Sequence, residues 1–130
     1  VYKRQPCFRR EDINKLLKEI QTSNVGGILG TKLKDTVKNV ENSEDIKATI
    51  DREHLWIAQT PQIFRYGLLK KAMQFAFDNA LMPTDEAQAI EHHGEKVKII
   101  EGFAGNIKIT ESLDLKLAEM ILSLKGGSCV

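Results

Sequence analysis

Apolar residues recur at helical spacing in four segments, and each segment predicts a helix. In the first, Ile13, Leu16, Leu17 and Ile20 form one stripe at i, i+3, i+4 and i+7. Thr84 is the predicted N-cap of the third helix, and Gly94 is its predicted end. The predicted helices cover Glu11–Thr22, Arg65–Asn79, about 84–94, and Glu111–Leu124, the last of which should bury Leu113, Leu117 and Met120.

Short apolar or alternating runs between these helices predict strands. The predicted strands are Gly26–Gly30, Ile46–Asp51, Val97–Ile100 and Asn106–Thr110. Helices that alternate with strands predict an α/β fold with a mainly parallel sheet. The number of strands is low for such a sheet, which is a first indication that the sheet is incomplete in this chain.

About residues 32–54 the chain is unusually polar, and this region predicts a protruding β-hairpin arm. Lys32–Val40 is extended in character, Glu41–Asp45 has the composition of a turn, and Ile46–Asp51 alternates with period 2. A hairpin with so little apolar surface is only marginally stable alone. We therefore expect the arm to lean on the rest of the protein or on a second subunit.

The charge balance and the cysteines exclude several classes of protein. Nineteen basic and 18 acidic residues give a net charge of +1, so no basic surface for nucleic acid or an anionic membrane is expected. No apolar run reaches the roughly 18 residues of a membrane helix. Cys7 and Cys129 lie near opposite ends and fit no metal-binding spacing. With the charged first residues, which do not resemble a signal peptide, these features predict a cytoplasmic protein.

Candidate chemistry lies at the junctions between elements, because ligands of open α/β sheets bind outside the carboxyl ends of strands. Thr60, Thr84 and Lys108 fall at such junctions. Lys108 alternates with two Ile residues, so it suits either a phosphate-facing charge or a solvated edge-strand lysine. Spacing alone favours the second interpretation. It likewise favours an ordinary strand residue for Thr36 and a surface arginine for Arg52.

An ordered set of short segments resembles the 2-C-methyl-D-erythritol 4-phosphate cytidylyltransferase family. Each segment is short, but the set with its gaps is specific and runs from about Pro6 to Leu124. The segments are Gly26–Leu29, Lys34–Lys38, Asp51–Arg52, Leu55–Phe64, Thr84–Ala87 and Gly105–Thr110. The resemblance implies a Rossmann-like nucleotidyltransferase fold, incomplete here, with the polar hairpin as its arm.

The resemblance also implies a reaction. The family transfers a cytidylyl group from CTP to 2-C-methyl-D-erythritol 4-phosphate and releases pyrophosphate, a step of the non-mevalonate route to isoprenoids. Mg²⁺ is the implied cofactor, bound with CTP. Because the substrate phosphate attacks the α-phosphorus in line, catalysis depends on positioning and on neutralising charge.

Five residues match functional positions of the family. Lys108 matches a lysine that neutralises phosphates at the reacting centre, so it is the implied catalytic and nucleotide-phosphate-binding residue. Thr60 and Thr84 match positions around the substrate cleft. Thr36 and Arg52 match arm positions that reach across a homodimer and hold the methylerythritol phosphate in the neighbour's site.

Other parts of the family pattern are missing from the sequence. The Gly-rich nucleotide loop with its Arg and Lys is not found, and Tyr2–Gln5 replaces an Asp-Ala-Ala-Arg run whose Asp helps to place the metal. We therefore expect no metal ligand here and an inactive, truncated enzyme. The predicted division is residues 1–5 as a non-matching leader, 6–124 as the C-terminal portion of one cytidylyltransferase domain, and 125–130 as a flexible tail.

Two alternatives stay open. A sister cytidylyltransferase that acts on a pentitol phosphate, such as ribitol 5-phosphate, would share the chemistry, although Asp51–Arg52 and Asn106–Lys108 favour methylerythritol phosphate. A non-catalytic dimerisation module built on the arm is the other alternative, and the sequence shows no partner-specific patch for it.

Overall fold

The computed structural model describes residues 4–41 and 44–124. Residues 1–3 of the predicted leader and the predicted tail, 125–130, lie outside the described residues. The described elements are α1 (Arg10–Thr22), β1 (Gly26–Lys32), β2 (Val37–Val40), β3 (Ile46–Ile50), β4 (Trp56–Phe64), α2 (Tyr66–Asp78), α3 (Glu86–His92), β5 (Lys98–Glu101) and α4 (Ser112–Leu124). All four predicted helices are present, as is the α/β class.

The main sheet is mixed, with the strand order β4–β1–β5. Strand β5 runs parallel to β1, whereas β4 runs antiparallel to it. The expectation of a mainly parallel sheet is therefore wrong for the part of the chain that the structure describes. The arm is the reason, because the chain leaves β1 for the arm and returns as β4. The two strands form the stem of one long hairpin, and a hairpin is antiparallel.

Strands β2 and β3 form the arm as a separate antiparallel pair. A hydrogen bond from Leu33 N to Leu55 O (3.0 Å) extends the stem ladder toward it. The predicted hairpin is thus confirmed. Thr36, which the sequence placed within a strand, lies just before β2 begins at Val37, because the chain bends between the stem and the arm.

Strand β4 contains Pro61 and was not predicted from the sequence, because proline donates no ladder hydrogen bond. The register explains how it is accommodated: consecutive residues of β1 face Gln62 and Gln59, so Thr60 and Pro61 form a bulge without partners on β1. Strand β4 also lies at the edge of the described sheet. Edge strands and bulges are the places where a sheet tolerates proline.

Residues 106–110 do not form the predicted strand Asn106–Thr110. No described strand pairs with them, so their polar groups are satisfied individually. The backbone N–H of Ile109 donates to Arg4 O at 2.7 Å, and that of Asn106 donates to Phe103 O at 2.9 Å. We call residues 102–110 the cation loop, after Lys108.

The core lies where α2 and α3 pack beside the sheet, around the buried residues Ala72, Ala89 and Ile90. Helix α4 is different: Leu113, Leu117 and Met120, predicted to point inward, are exposed, and Ala118 is the buried hydrophobic residue of its described part. The pattern predicted the helix correctly but not its burial, because no other described element covers that face. Among the described helices, none has the length and apolarity needed to cross a membrane, and the cytoplasmic location stays a prediction.

Candidate active site

A cleft of about 600 Å³ opens between β4, the start of α3 and the cation loop. Thr60, Thr84 and Lys108 all line it. The fold therefore brings together three predicted site residues that lie far apart in sequence. Thr36 and Arg52 belong to the arm and do not line this cleft.

Thr60 occupies the bulge of β4, which turns it out of the ladder with β1. Its hydroxyl donates a hydrogen bond to Gln5 Oε1. Gln5 Nε2 in turn donates to Asn106 O at 3.1 Å, and Gln5 itself lines the cleft. Gln5 thus connects Thr60 to the cation loop. Sequence reasoning assigned residues 1–5 to a leader and missed this contact.

Thr84 lies just before α3, but it is not the N-cap that the sequence predicted. Asp85 caps the helix: its backbone is extended, and its Oδ1 accepts a hydrogen bond from Gln88 N at 2.9 Å. Gln88 Oε1 accepts from Thr84 N at 2.6 Å. Asp85 takes this role because a carboxylate cap also interacts favourably with the positive end of the helix dipole. Thr84 is left free of the capping role and faces the cleft.

A glutamine of β4 fixes this helix start against the sheet. Gln62 Nε2 donates to Asp85 Oδ2 at 2.8 Å, and its Oε1 accepts from Ala87 N at 3.2 Å. One side chain thus uses both ends of its amide on α3. The spacing Gln59-Thr60-Pro61-Gln62 was the available signal, but it becomes informative only once the partners are known.

Gln59 and Asn106 form a buried amide layer beneath the cleft, with 7% and 2% of their surfaces exposed. Asn106 Nδ2 donates to Thr60 O at 2.8 Å. Gln59 Nε2 donates to Phe103 O at 3.0 Å and to Asn106 O at 3.4 Å. The sequence singled out neither residue, because a buried amide and an exposed one look alike in a pattern.

The charges around the cleft are few. Among the residues that line it, Lys108 is the one Lys or Arg, and it is exposed. Asp85 and Glu86 are the acidic ones. Both oxygens of Asp85 already accept hydrogen bonds from Gln88 and Gln62. No group of three candidate metal ligands occurs among the described residues. The residues that line the described cleft therefore do not fit a Mg²⁺ site, since the one carboxylate among them without these hydrogen bonds is Glu86.

At the base of the arm, Arg52 Nη1 donates to Lys34 O. Asp51 Oδ1 accepts from Glu53 N at 3.0 Å and forms the adjoining turn. Thr36 and Arg52 are both exposed. The arm thus presents these two side chains to its surroundings.

Solved structures define the class of protein. The chain superimposes on 2-C-methyl-D-erythritol 4-phosphate cytidylyltransferase from Francisella tularensis with a TM-score of 0.83 and 37% identity, covering 91% of this chain and 55% of that one. The enzyme from Thermus thermophilus gives 0.83 and 30%, covering 92% and 58%. The fold is therefore that of a Rossmann-like α/β nucleotidyltransferase, of which this chain spans roughly half.

Sequence comparison then gives the family. The profile of 2-C-methyl-D-erythritol 4-phosphate cytidylyltransferase matches residues 3–124. The enzymes of that name from Aliivibrio fischeri and Acinetobacter baumannii are 45% and 46% identical over 118 residues, which is 91% of this chain and 50% of each relative. The chain belongs to this family, and it spans about half the length of the curated relatives it matches.

Proposed function

We propose that the cleft holds the phosphate of the acceptor in cytidylyl transfer from CTP to 2-C-methyl-D-erythritol 4-phosphate. The observation that carries the proposal is the convergence of Thr60, Thr84 and Lys108 on one cleft. The Lys108 ammonium and the Thr84 hydroxyl suit a phosphate, which accepts several charge-assisted hydrogen bonds. The Thr60 hydroxyl would exchange its bond to Gln5 Oε1 for one to the ligand. Family membership supports the choice of substrate over a pentitol phosphate.

In this reaction an oxygen of the acceptor phosphate forms a bond to the α-phosphorus of CTP. The bond from that phosphorus to the bridging oxygen breaks, and the electron pair leaves with pyrophosphate. Lys108 stabilises the negative charge on the phosphates, while Thr60 and Thr84 orient the attacking group. Mg²⁺ would supply further charge neutralisation when bound with CTP, and its ligands would come from the nucleotide phosphates and from groups other than the cleft residues described here.

The arm completes the site in a homodimer in this proposal. Thr36 and Arg52 of one copy would contact the acceptor held in the cleft of the other. Their exposure supports the proposal, as do Val40 and Ile46, which face each other across the arm and are exposed. An apolar pair at an exposed position favours contact with a second protein surface.

The 130 residues alone would bind the acceptor but would not catalyse cytidylyl transfer. A reacting pair of phosphate groups needs several cations, and the described cleft contributes one. Assay of the purified chain with CTP, Mg²⁺ and methylerythritol phosphate should release no pyrophosphate above background. Release at the rate of a full-length relative would contradict this part of the proposal.

Calorimetric titration with methylerythritol phosphate tests the acceptor site itself. A charge-assisted hydrogen bond contributes about 1.5–3 kcal/mol, so Lys108→Ala should raise the dissociation constant roughly 10- to 150-fold. Lys70→Ala is the matched control, because Lys70 is an exposed lysine of α2 that does not line the cleft. Equal affinities of the two variants would refute the role of Lys108.

A further inference from the structure

The cation loop is partly buried although it has no regular secondary structure, and the amide layer supplies hydrogen-bond partners to its backbone. Residues 102–110 form neither helix nor strand, yet Asn106 in the middle of the loop is almost completely buried. Buried backbone groups outside regular structure must find partners one by one. The position of Lys108, two residues further on, therefore depends on how Asn106 is held.

The bonds between β4 and the loop run in both directions. Asn106 of the loop donates its side-chain N–H to the backbone of β4, at Thr60 O (2.8 Å). Gln59 of β4 donates its side-chain N–H to the backbone of the loop, at Phe103 O (3.0 Å) and Asn106 O (3.4 Å). Each segment thus holds the main chain of the other, and Thr60 and Lys108 flank the contact on either side.

Both amides are closely confined. A Cβ on Gly102 would come within 2.6 Å of Gln59 Oε1, so the loop packs tightly onto that side chain. Gln59 Oε1 and Asn106 Oδ1 are buried and have no hydrogen-bond partner among the described residues. The side-chain hydrogen bonds that Gln59 and Asn106 make to the described residues therefore all come from the donor ends of their amides.

We infer that Asn106 and Gln59 form a reciprocal amide clamp that sets the distance between Thr60 and Lys108. Asn106 and Gln59 are positioning residues, because they act through Thr60 and Lys108. The consequence for ligand binding rests on the proposed function, whereas the clamp itself does not. By fixing the loop in advance, the clamp reduces the ordering cost of binding a phosphate between Thr60 and Lys108.

The test uses the ¹⁵N-labelled 130-residue chain without ligand. Asn106→Asp keeps the shape and replaces the donor by an oxygen, and the readout is hydrogen exchange at the Ile109 amide, which bonds to Arg4 O. We expect exchange at pH 7 to be at least about tenfold faster than in the wild type. The matched control is Asn79→Asp, because Asn79 Nδ2 makes the same type of bond to Phe75 O (2.8 Å) at the exposed end of α2. It should change exchange at Ile109 less than twofold.

Protonation of the carboxyl group in the Asn106→Asp variant should restore the hydrogen bond of the clamp. Below the pKa of the introduced carboxyl, its O–H can again donate to Thr60 O, so the ratio of variant to wild-type exchange should fall toward 1 at matched pH. Gln59→Glu tests the other side chain of the clamp in the same way. If one variant fails to fold, the other still decides the test. Exchange at Ile109 that stays within twofold of the wild type in a folded variant at pH 7 overturns the clamp.

Affinity for methylerythritol phosphate separates the clamp from the proposed function. If the clamp and the proposed acceptor site both exist, Asn106→Asp raises the dissociation constant for methylerythritol phosphate about tenfold and also makes exchange at the Ile109 amide faster. Faster exchange in a chain whose wild type binds no methylerythritol phosphate supports the clamp and refutes the proposed function. Weaker binding with unchanged exchange refutes the clamp and leaves the acceptor site standing.

Discussion

Asp12 should stabilise the chain through a nearly buried carboxylate on α1. The side chain is 1% exposed, and it accepts hydrogen bonds from Arg9 Nε, Arg9 Nη2 and Lys15 Nζ, each at 3.0 Å. Lys15 Nζ also donates to Glu101 O at 3.1 Å, and the Arg9 guanidinium lies 4.5 Å from the centre of the Phe103 ring. Asp12 therefore orients two cations that tie α1 to β5 and to the cation loop.

The size of the effect follows from two opposing contributions. Asp12→Asn keeps the shape but removes the charge and replaces one acceptor oxygen by an N–H donor. At least one of the three hydrogen bonds is then lost and the others are weakened, and each is worth about 1.5–3 kcal/mol when charged. The cations are 35% and 48% exposed, so water compensates much of that loss. Asparagine also avoids the desolvation of a carboxylate. The net loss in the free energy of unfolding should be about 1–3 kcal/mol.

Urea unfolding followed by circular dichroism measures this loss, with Glu11→Gln as the control. Glu11 is the adjacent acidic residue in the first turn of α1 and is exposed, so its loss should change stability by less than about 0.5 kcal/mol. If Asp12→Asn is as stable as Glu11→Gln, the carboxylate does not have the role described here.

The pH dependence gives an independent check. Burial raises the pKa of Asp12, but the hydrogen bonds from Arg9 and Lys15 outweigh it, so the pKa lies below its ordinary value of 3.8. The stabilisation is therefore complete above pH 3.8 and is lost as the pH falls through the lower pKa of the folded state. Asp12→Asn should lose this part of the acid dependence. An identical acid slope in both proteins would contradict the assignment.

Three further predictions concern other parts of the fold. Gly26→Ala should unfold the chain or destabilise it by several kcal/mol, because Gly26 has φ +133° and a Cβ would meet the Ile63 carbonyl; a melting temperature equal to that of the wild type would contradict this. Asp114 accepts hydrogen bonds from the backbone N–H groups of Thr110 and Glu111, which hold its pKa below 3.8. These hydrogen bonds stabilise the start of α4 above that value and should be lost as the pH falls through the lowered pKa. The loss should appear as a shift of the Glu111 amide signal that Asp114→Asn abolishes. A midpoint near about 4 or higher would argue against this role of Asp114. Light scattering should show a dimer that Ile46→Ser weakens, and a wild-type monomer at all concentrations would refute pairing through the arm.

Helices and the arm could be predicted because their signals are local. The stripe of α1 and the polar run of the arm each lie within about 20 residues of sequence. Strand β4 could not be predicted, since Pro61 is acceptable only in a bulge at a sheet edge, and both features depend on β1. The exposure of Leu113 and Met120 was equally hidden, because a stripe shows where a helix could pack and not what packs against it.

The candidate site divides in the same way. Resemblance to the family predicted Thr60, Thr84 and Lys108 as site residues, and the fold brings them to one cleft. The side chains that hold them, Gln62 and the clamp residues Gln59 and Asn106, are neutral amides whose roles come from tertiary partners. Such residues carry no periodicity and no charge signal, so only the geometry reveals them.

In the proposed function, a phosphate ester binds between Thr60, Thr84 and Lys108. Titration of the ¹⁵N-labelled chain with 2-C-methyl-D-erythritol 4-phosphate tests it most directly, because amide shifts report where the ligand sits. We expect saturable shifts concentrated at these three residues and in the cation loop. Lys108→Ala should move their midpoint to roughly 10- to 150-fold higher ligand concentration, and Lys70→Ala should leave it unchanged. Shifts centred elsewhere, or no shifts at millimolar ligand, would contradict it.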